Sequence, residues 1–372
     1  MDITSEDALV DAVKGASGPL AVRGGGTRGV PVVGDVLSVA GLNGISLYEP
    51  GALTLVAKPG TPVADIEAAL AKENQRLAFE PMDHRGLLGT TGTPTIGGVM
   101  AANVSGPRRI SVGAARDFLL GVRFVDGRGA VVKNGGRVMK NVTGYDLVKL
   151  MAGSFGTLGV LSEISMKVLP RPETQATLVL HGLDDQGGVS ALAHALGSPF
   201  EVTGAAHDPA GKKTLLRIEG FETSVAYRLG QLRALLTTTG AEMDVLDAKA
   251  SESMWMTVRD VAIFQGQGGD VWRVSCKPSD GPEIAKRSGA EAWFYDWAGG
   301  LIWLLASPGH DLRAQIGAFD GHATLVRADA ETVARLGMFQ PETAGVARLT
   351  AGLRAQFDPK GIYNAGLMEH AA

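Results

Sequence analysis

A single cysteine, Cys276, stands among 372 residues. That excludes an internal disulfide, a zinc site built on cysteines, and an iron–sulfur cluster held by this chain alone, so any redox chemistry needs an organic cofactor. No stretch approaches the roughly 18 to 20 apolar residues that cross a bilayer. The first residues, Met1-Asp2-Ile3-Thr4-Ser5-Glu6-Asp7, are acidic where a secretory signal would be basic, and a cytoplasmic chain is expected. Positive charge is not in excess either: 35 Lys and Arg against 39 Asp and Glu give a net charge of -4, which argues against a nucleic-acid partner. Aromatics are scarce at 6%, and all five tryptophans fall between Trp255 and Trp303.

Glycine is what the chain has in plenty. Its 51 glycines are about twice the average share, clustered between apolar runs as in tight turns and ligand loops. The most concentrated cluster is Arg23-Gly24-Gly25-Gly26-Thr27, after the apolar run Pro19-Leu20-Ala21-Val22. A loop without side chains can close its backbone N–H groups on an anion. A second Gly/Thr loop, Gly89-Thr90-Thr91-Gly92-Thr93-Pro94-Thr95-Ile96-Gly97-Gly98, follows, then Asn103 and Ser105-Gly106. Alone, the first loop could be a surface turn; together the two suggest a grip on one diphosphate. Gly24 to Gly29 also fits the G-x-G-x-x-G pattern, with Glu49 beyond it, but that motif needs a helix starting at the loop. Val30-Pro31-Val32-Val33-Gly34 cannot supply one, which rules out a Rossmann site.

At this length two domains are expected. The first reads as a helix from Thr4-Ser5 to Gly15, strands before the first loop, at Val36–Val39 and at Leu53–Lys58, a helix over Val63–Leu70, a hairpin turning at Asp126-Gly127-Arg128-Gly129, a short helix over Gly144–Met151 and a strand over Thr157–Leu169. Pro170-Arg171-Pro172 marks the boundary. Beyond it, apolar periodicity gives β-α-β-β-α, a helix over Ser253–Phe264, then β-α-β-β-α-β, the order of ferredoxin-like units with helices on one face of an antiparallel sheet. The last helix, Ala344–Phe357, precedes an Asn364-Ala365-Gly366 tail.

These motifs, with Arg116-Asp117, Gly121-Val122, Gly153-Ser154-Phe155-Gly156-Thr157-Leu158-Gly159-Val160 and Phe357-Asp358-Pro359-Lys360-Gly361-Ile362-Tyr363-Asn364, resemble the FAD-linked oxidases of the vanillyl-alcohol oxidase and p-cresol methylhydroxylase type. Lys140-Asn141-Val142-Thr143-Gly144-Tyr145-Asp146-Leu147 and Val271-Trp272-Arg273-Val274-Ser275 are most similar to the smaller FAD-binding subunit of bacterial glycolate oxidases. The resemblance implies an α+β chain. Residues 1–170 would be an FAD-binding domain of two α/β subdomains, residues 171–340 an antiparallel cap domain, and residues 341–372 a helix and tail returning to the first domain. It implies FAD held by Arg23, Gly24, Gly25, Gly26 and Thr27 at the diphosphate, with Pro59 and Gly60 in the same trough. Thr93, Thr95, Gly97 and Gly98 would lie on the flavin side, and Asn103, Gly106, Gly159 and Val160 would complete the wall. Many relatives bind flavin covalently through His or Cys in these loops, but residues 1 to 83 contain no His and Cys276 is in the other domain. FAD is therefore expected to be non-covalent. The His-x-Gly-Asp-Gly-Asn-x-His metal segment of the catalytic hydroxy-acid members has no counterpart here, so no metal is expected.

The implied role is the FAD-binding subunit of a glycolate-oxidising complex forming glyoxylate. Electrons would leave through a partner Fe–S subunit to quinone, beside a larger catalytic FAD subunit, with any attachment at the inner membrane peripheral and through partners. A stand-alone dehydrogenase of a small alcohol or 2-hydroxy acid, and a non-catalytic assembly subunit, are the alternatives. A 2-hydroxy acid needs a cation for its carboxylate and a base for its hydroxyl; Arg273 and Arg259 are candidate clamps, His310 and His84 candidate bases. Trp293, Tyr295 and Trp297 alternate along one strand, either as a stacking or partner-binding wall or as a sheet face packed under helices.

Overall fold

The computed structural model describes residues 1–137 and 144–368. Lys140 to Thr143 of the Lys140–Leu147 motif lie outside them. The chain divides into two compact units, one of residues 1–105, 113–171 and 341–372, the other of residues 106–112 and 172–340. The segment Gly106–Val112, expected in the first domain, belongs to the second unit.

In the first unit, the helix Glu6–Gly15 starts where the Ser5 side chain caps the Ala8 N–H at 3.1 Å, and it buries Leu9 and Val13. Parallel strands Leu20–Arg23 and Asp35–Ser38 pack on it with Ile362 and Tyr363. The C-terminal tail runs beside the first strand: Leu20 N–H donates to Ile362 O at 2.7 Å and Asn364 N–H to Leu20 O at 3.0 Å. A five-stranded antiparallel sheet takes the spatial order Ile45–Glu49, Thr54–Ala57, Val160–Lys167, Leu119–Val125, Val131–Gly135. The strand Ile45–Glu49 went unread because it is short, with only Ile45 and Leu47 as alternating aliphatic residues, and none of its five residues is fully buried. The hairpin turns at Asp126, whose carboxylate accepts from the N–H groups of Arg128 and Ala130, each at 2.9 Å. Asp117 and Phe118, read as the start of its first strand, instead end the helical turn Ala115–Phe118. Ile96–Gly98, read as loop, begin the helix Ile96–Ala101.

The second unit is one eight-stranded sheet of two joined halves. Strands Thr174–His181, Gly204–Asp208, Lys213–Gly220 and Glu242–Leu246 lie in the spatial order fourth, first, third, second; Asp270–Cys276, Ala292–Asp296, Leu301–Ala306 and Gly321–Arg327 repeat that order in mirror sequence. The halves meet where His207 pairs with Tyr295. Glu242–Leu246 completes the first ferredoxin-like half and was missing from the sequence reading, because this edge strand is mostly exposed and carries Glu242 and Asp244.

Alternation splits the sheet's faces. Leu178, Leu180, Leu216 and Ile218 pack with Leu192 and Leu232 of the helices Asp185–Leu196 and Glu222–Leu236. Trp272, Val274, Ile302 and Leu304 pack with Ile284 and Leu312. The helix Ala248–Arg259 corrects the expectation of helices on one face alone: its Trp255 Nε1–H donates to Thr177 Oγ1 at 2.8 Å, from the side opposite Leu178. Among the described residues no helix is long and apolar enough to cross a membrane.

Candidate functional site

A cavity of about 400 Å³ opens in the first unit, within the range of small-molecule and cofactor sites. Its polar rim is the loop Arg23 to Arg28; its walls include Met82, Val99, Val104, Phe155 and Leu161. Among the described residues the backbone N–H groups of Gly25, Gly26 and Thr27 make no hydrogen bond within the protein. With Gly26 at φ 73°, these consecutive N–H groups form a concavity suited to an anion. Arg28 stacks over the Phe155 ring, its guanidinium carbon 5.3 Å from the centroid.

The two glycine loops interlock. Thr93 N–H donates to Gly25 O at 3.2 Å, and Thr90 Oγ1–H donates to Thr27 O at 2.8 Å. A Cβ built on Gly25 would land on the carbonyl oxygen of Thr93, and one on Gly24 on the Thr95 hydroxyl. The glycines at 24 and 25 are thus required by the neighbouring loop as much as by a ligand. Gly26 differs: no heavy atom lies within 4 Å of its would-be Cβ, and only its positive φ asks for glycine.

The helix Ile96–Ala101 is not a second anion seat, because its first N–H groups are taken. Ile96 N–H donates to Thr61 O at 3.0 Å, Gly97 N–H to Pro59 O at 2.8 Å, and Gly98 N–H to the Thr95 hydroxyl at 3.4 Å. Gly97 lets the Pro59 turn approach, since a Cβ there would sit 2.7 Å from Pro59 Cβ.

Of the expected cofactor residues, Arg23, Gly24, Gly25, Gly26, Thr27, Pro59, Thr95, Gly97, Gly98, Gly159 and Val160 line the cavity. The lining omits four. Thr93 serves the loop contact. Gly60 packs against the carbonyls of Val39 and Ala40. Asn103, at φ 52°, accepts the Arg116 N–H on Oδ1 at 2.9 Å, and Gly106 belongs to the second unit. His84 also lines the cavity, next to Asp83, whose carboxyl the hydrogen-bonded Arg85 guanidinium holds below its usual range.

Sequence reasoning gave Asn364 no role beyond its motif, yet it joins the cavity wall. Its Oδ1 accepts the Val22 N–H at 2.8 Å and its Nδ2–H donates to Phe155 O at 2.8 Å. An asparagine after Ile362-Tyr363 carries no local signal of that contact.

The second unit holds the proposed substrate-binding residues. Arg259 forms a bidentate pair with its neighbour Asp260 at 2.8 and 2.7 Å, and His310 Nε2 meets Ser288 O at 2.8 Å; both are engaged locally. Trp293 Nε1–H and Tyr295 O–H donate to Asp185 Oδ2 at 2.7 and 2.6 Å, so these two aromatics pack under a helix. Trp297 leaves the strand and lies under Arg273, 5.0 Å from ring centroid to guanidinium carbon.

The FAD binding domain family matches residues 2–135. Over 358 residues, 94% of this chain and 92% of the relative, the sequence is 36% identical to glycolate oxidase subunit GlcE of Escherichia coli strain K12. It is 34% identical over 166 residues to glycolate oxidase subunit GlcD of Bacillus subtilis strain 168, covering 43% of this chain and 34% of that protein. Among solved structures, alkyldihydroxyacetonephosphate synthase aligns with a TM-score of 0.72 at 16% identity, over 99% of this chain and 77% of that one. p-Cresol methylhydroxylase aligns at 0.68 and 13% identity, over 98% and 87%. These two likenesses establish the fold, and the family match makes FAD the cofactor. The residues present fit it: an N–H concavity for a diphosphate, glycines where backbones must approach, and apolar walls for a ring system.

Proposed function

This chain belongs to the family of glycolate oxidase subunit GlcE, and on that premise we propose that it is the FAD-binding subunit of a complex that oxidises glycolate, or a close 2-hydroxy acid, to the 2-oxo acid. The observation that carries the reading is the similarity to GlcE over nearly the whole chain, joined to a cavity whose rim and walls suit FAD.

Bound FAD would supply a two-electron acceptor. The N–H groups of Gly25, Gly26 and Thr27 would hold the diphosphate, with Arg23 and Arg28 supplying positive charge near it. Thr95, Gly97, Gly98, Gly159 and Val160 would shape the channel, and Met82, Val99, Val104 and Leu161 would exclude water from it. Attachment is non-covalent in this reading. Cys276 alone cannot assemble an Fe–S cluster, so onward electron transfer falls to a partner Fe–S subunit, and a larger FAD subunit is a further partner. Membrane association would be peripheral, through those partners.

The test is anaerobic reduction of the purified chain's flavin by glycolate, alone and with the co-purified partners. Bleaching only with partners supports the complex. Bleaching by the isolated chain would replace this reading with a stand-alone dehydrogenase. Full activity of a complex whose copy of this chain lacks FAD would replace it with an assembly role.

A further inference from the structure

Residues 30–33, Val-Pro-Val-Val, follow the diphosphate loop almost directly and are all apolar. A run of four apolar residues in an open connection asks for a use. Val30, Pro31 and Val32 line the cavity beside Gly25, Gly26 and Thr27, whereas Val33 stands 78% exposed.

No backbone bond holds this segment down. Among the described residues, no N–H or C=O of residues 30–33 makes a hydrogen bond within the protein, and Pro31 has no N–H to give. The flanks, by contrast, are fixed. On one side Thr90 Oγ1–H donates to Thr27 O at 2.8 Å; on the other Asp35 N–H donates to Pro19 O at 2.9 Å. A glycine stands at each junction, Gly29 at φ 57° and Gly34 at φ 131°, in backbone conformations that residues with a side chain rarely adopt. Between them Pro31 fixes its own φ and keeps Val30 extended. The segment is thus a stiff apolar piece between two permissive joints.

We propose that residues 30–33 are a hinged lid on the cofactor cavity, which closes on bound FAD and slows its release. The N–H groups of Gly25, Gly26 and Thr27 hold an anion more firmly where water is kept out, because a lower local dielectric strengthens each hydrogen bond to a charged group. Side chains of valine and proline carry no polar group to compete for those donors. Closure would also take from water the apolar surface that Val33 now exposes. A segment built as a fixed wall would be tied to its neighbours, as the second glycine loop is through Thr90 and Thr93. The inference needs FAD as the ligand, which the family match supplies, and does not depend on glycolate as the substrate.

The experiment compares the full chain with and without FAD. Elastase, which cuts after small aliphatic residues, should cleave the FAD-free chain after Val32 or Val33 and be slowed there tenfold or more by saturating FAD. A nitroxide on Val33→Cys, in a Cys276→Ala background, should give a broadened, immobilised spectrum once FAD binds, while the same label on Val131→Cys should not change. Val32→Ser should raise the FAD dissociation rate fivefold or more, read from the recovery of free-flavin fluorescence. Equal cleavage with and without FAD, or a Val33 label equally mobile in both states, overturns the lid. A Val32→Ser rate equal to that of the wild type overturns its part in retaining FAD. Where the Cys276→Ala background fails to fold, proteolysis of the unaltered chain decides. All three readouts are independent of turnover, so a chain that closes on FAD but takes part in no glycolate oxidation would sink the proposed function and leave the lid standing.

Discussion

Gly25 and Thr93 are in backbone contact: the Thr93 N–H donates to Gly25 O at 3.2 Å, and no side chain can be added at Gly25 without meeting the Thr93 carbonyl. The loop that offers its N–H groups to a diphosphate is therefore braced by the loop beside it. Gly26, one residue on, is free of such contact.

This separates two kinds of glycine in one motif. Gly25→Ala should displace one loop from the other and raise the Kd for FAD more than tenfold, with a loss of about 2 kcal/mol or more of stability from the overpacked contact. Gly26→Asn, which tolerates a left-handed backbone, should keep near-normal FAD affinity. Flavin absorbance after gel filtration and thermal melts measure both; equal losses would show that the N–H concavity, rather than the loop contact, dominates at Gly25.

Asn364 closes the cavity wall with two hydrogen bonds, from Val22 N–H and to Phe155 O. Asn364→Ala leaves both backbone groups without their partner, at about 1 to 3 kcal/mol for each such group. Asn364→Asp keeps an acceptor for Val22 and sets a carboxylate against the Phe155 carbonyl, so it should restore only part of the loss. FAD titration and denaturant unfolding of the two variants check the order wild type, Asp, Ala.

His207 makes the chain acid-sensitive in the second unit. It is 1% exposed, with Nδ1 at 2.9 Å from Thr214 Oγ1 and Nε2 without a hydrogen-bond partner. Desolvation pushes its pKa below the ordinary 6.5, against the opposing charges of Asp185, Asp208 and Asp184. With the folded pKa the lower one, the unfolded chain binds the extra proton. Stability is therefore complete above pH 6.5 and falls as pH drops below it, by up to about 1.4 kcal/mol per pH unit until the folded-state pKa is reached. His207→Gln should flatten this limb of a Tm-against-pH curve between pH 7.5 and 5; a slope unchanged in the variant would assign it to other groups.

Flavin attachment has a direct check. The cavity lining includes His84 as its imidazole and contains no cysteine. Denaturing electrophoresis should show no fluorescent protein band, and acid precipitation should leave all the FAD in the supernatant. A fluorescent band lost in His84→Ala would instead establish a covalent bond at that residue.

The legible parts of the fold were those with periodicity or strong turn chemistry. Leu9 and Val13 behind a Ser5 cap, the Asp126 turn, and the apolar strands of the second unit's core all declare themselves locally. Glu242–Leu246 did not, because an exposed edge strand has no apolar face to display. Ile96–Ala101 did not, because a six-residue helix with two glycines looks like the loop before it. At the candidate site the glycine loops and His84 were readable, while the wall contact of Asn364 and the stacking of Arg28 were not.

By itself the sequence determined that one cysteine cannot hold a redox metal cluster, that two Gly/Thr loops prepare a cofactor site, and that the second half repeats an antiparallel unit. These follow from composition and short-range pattern, which act within a few residues. Only the tertiary structure decided that Gly25 meets Thr93, that Asn364 reaches Val22 across 342 positions, and that Arg109 shares Trp297 with Arg273. Such pairings are set by the packing of whole elements, and no residue's own neighbourhood in the chain encodes its partner.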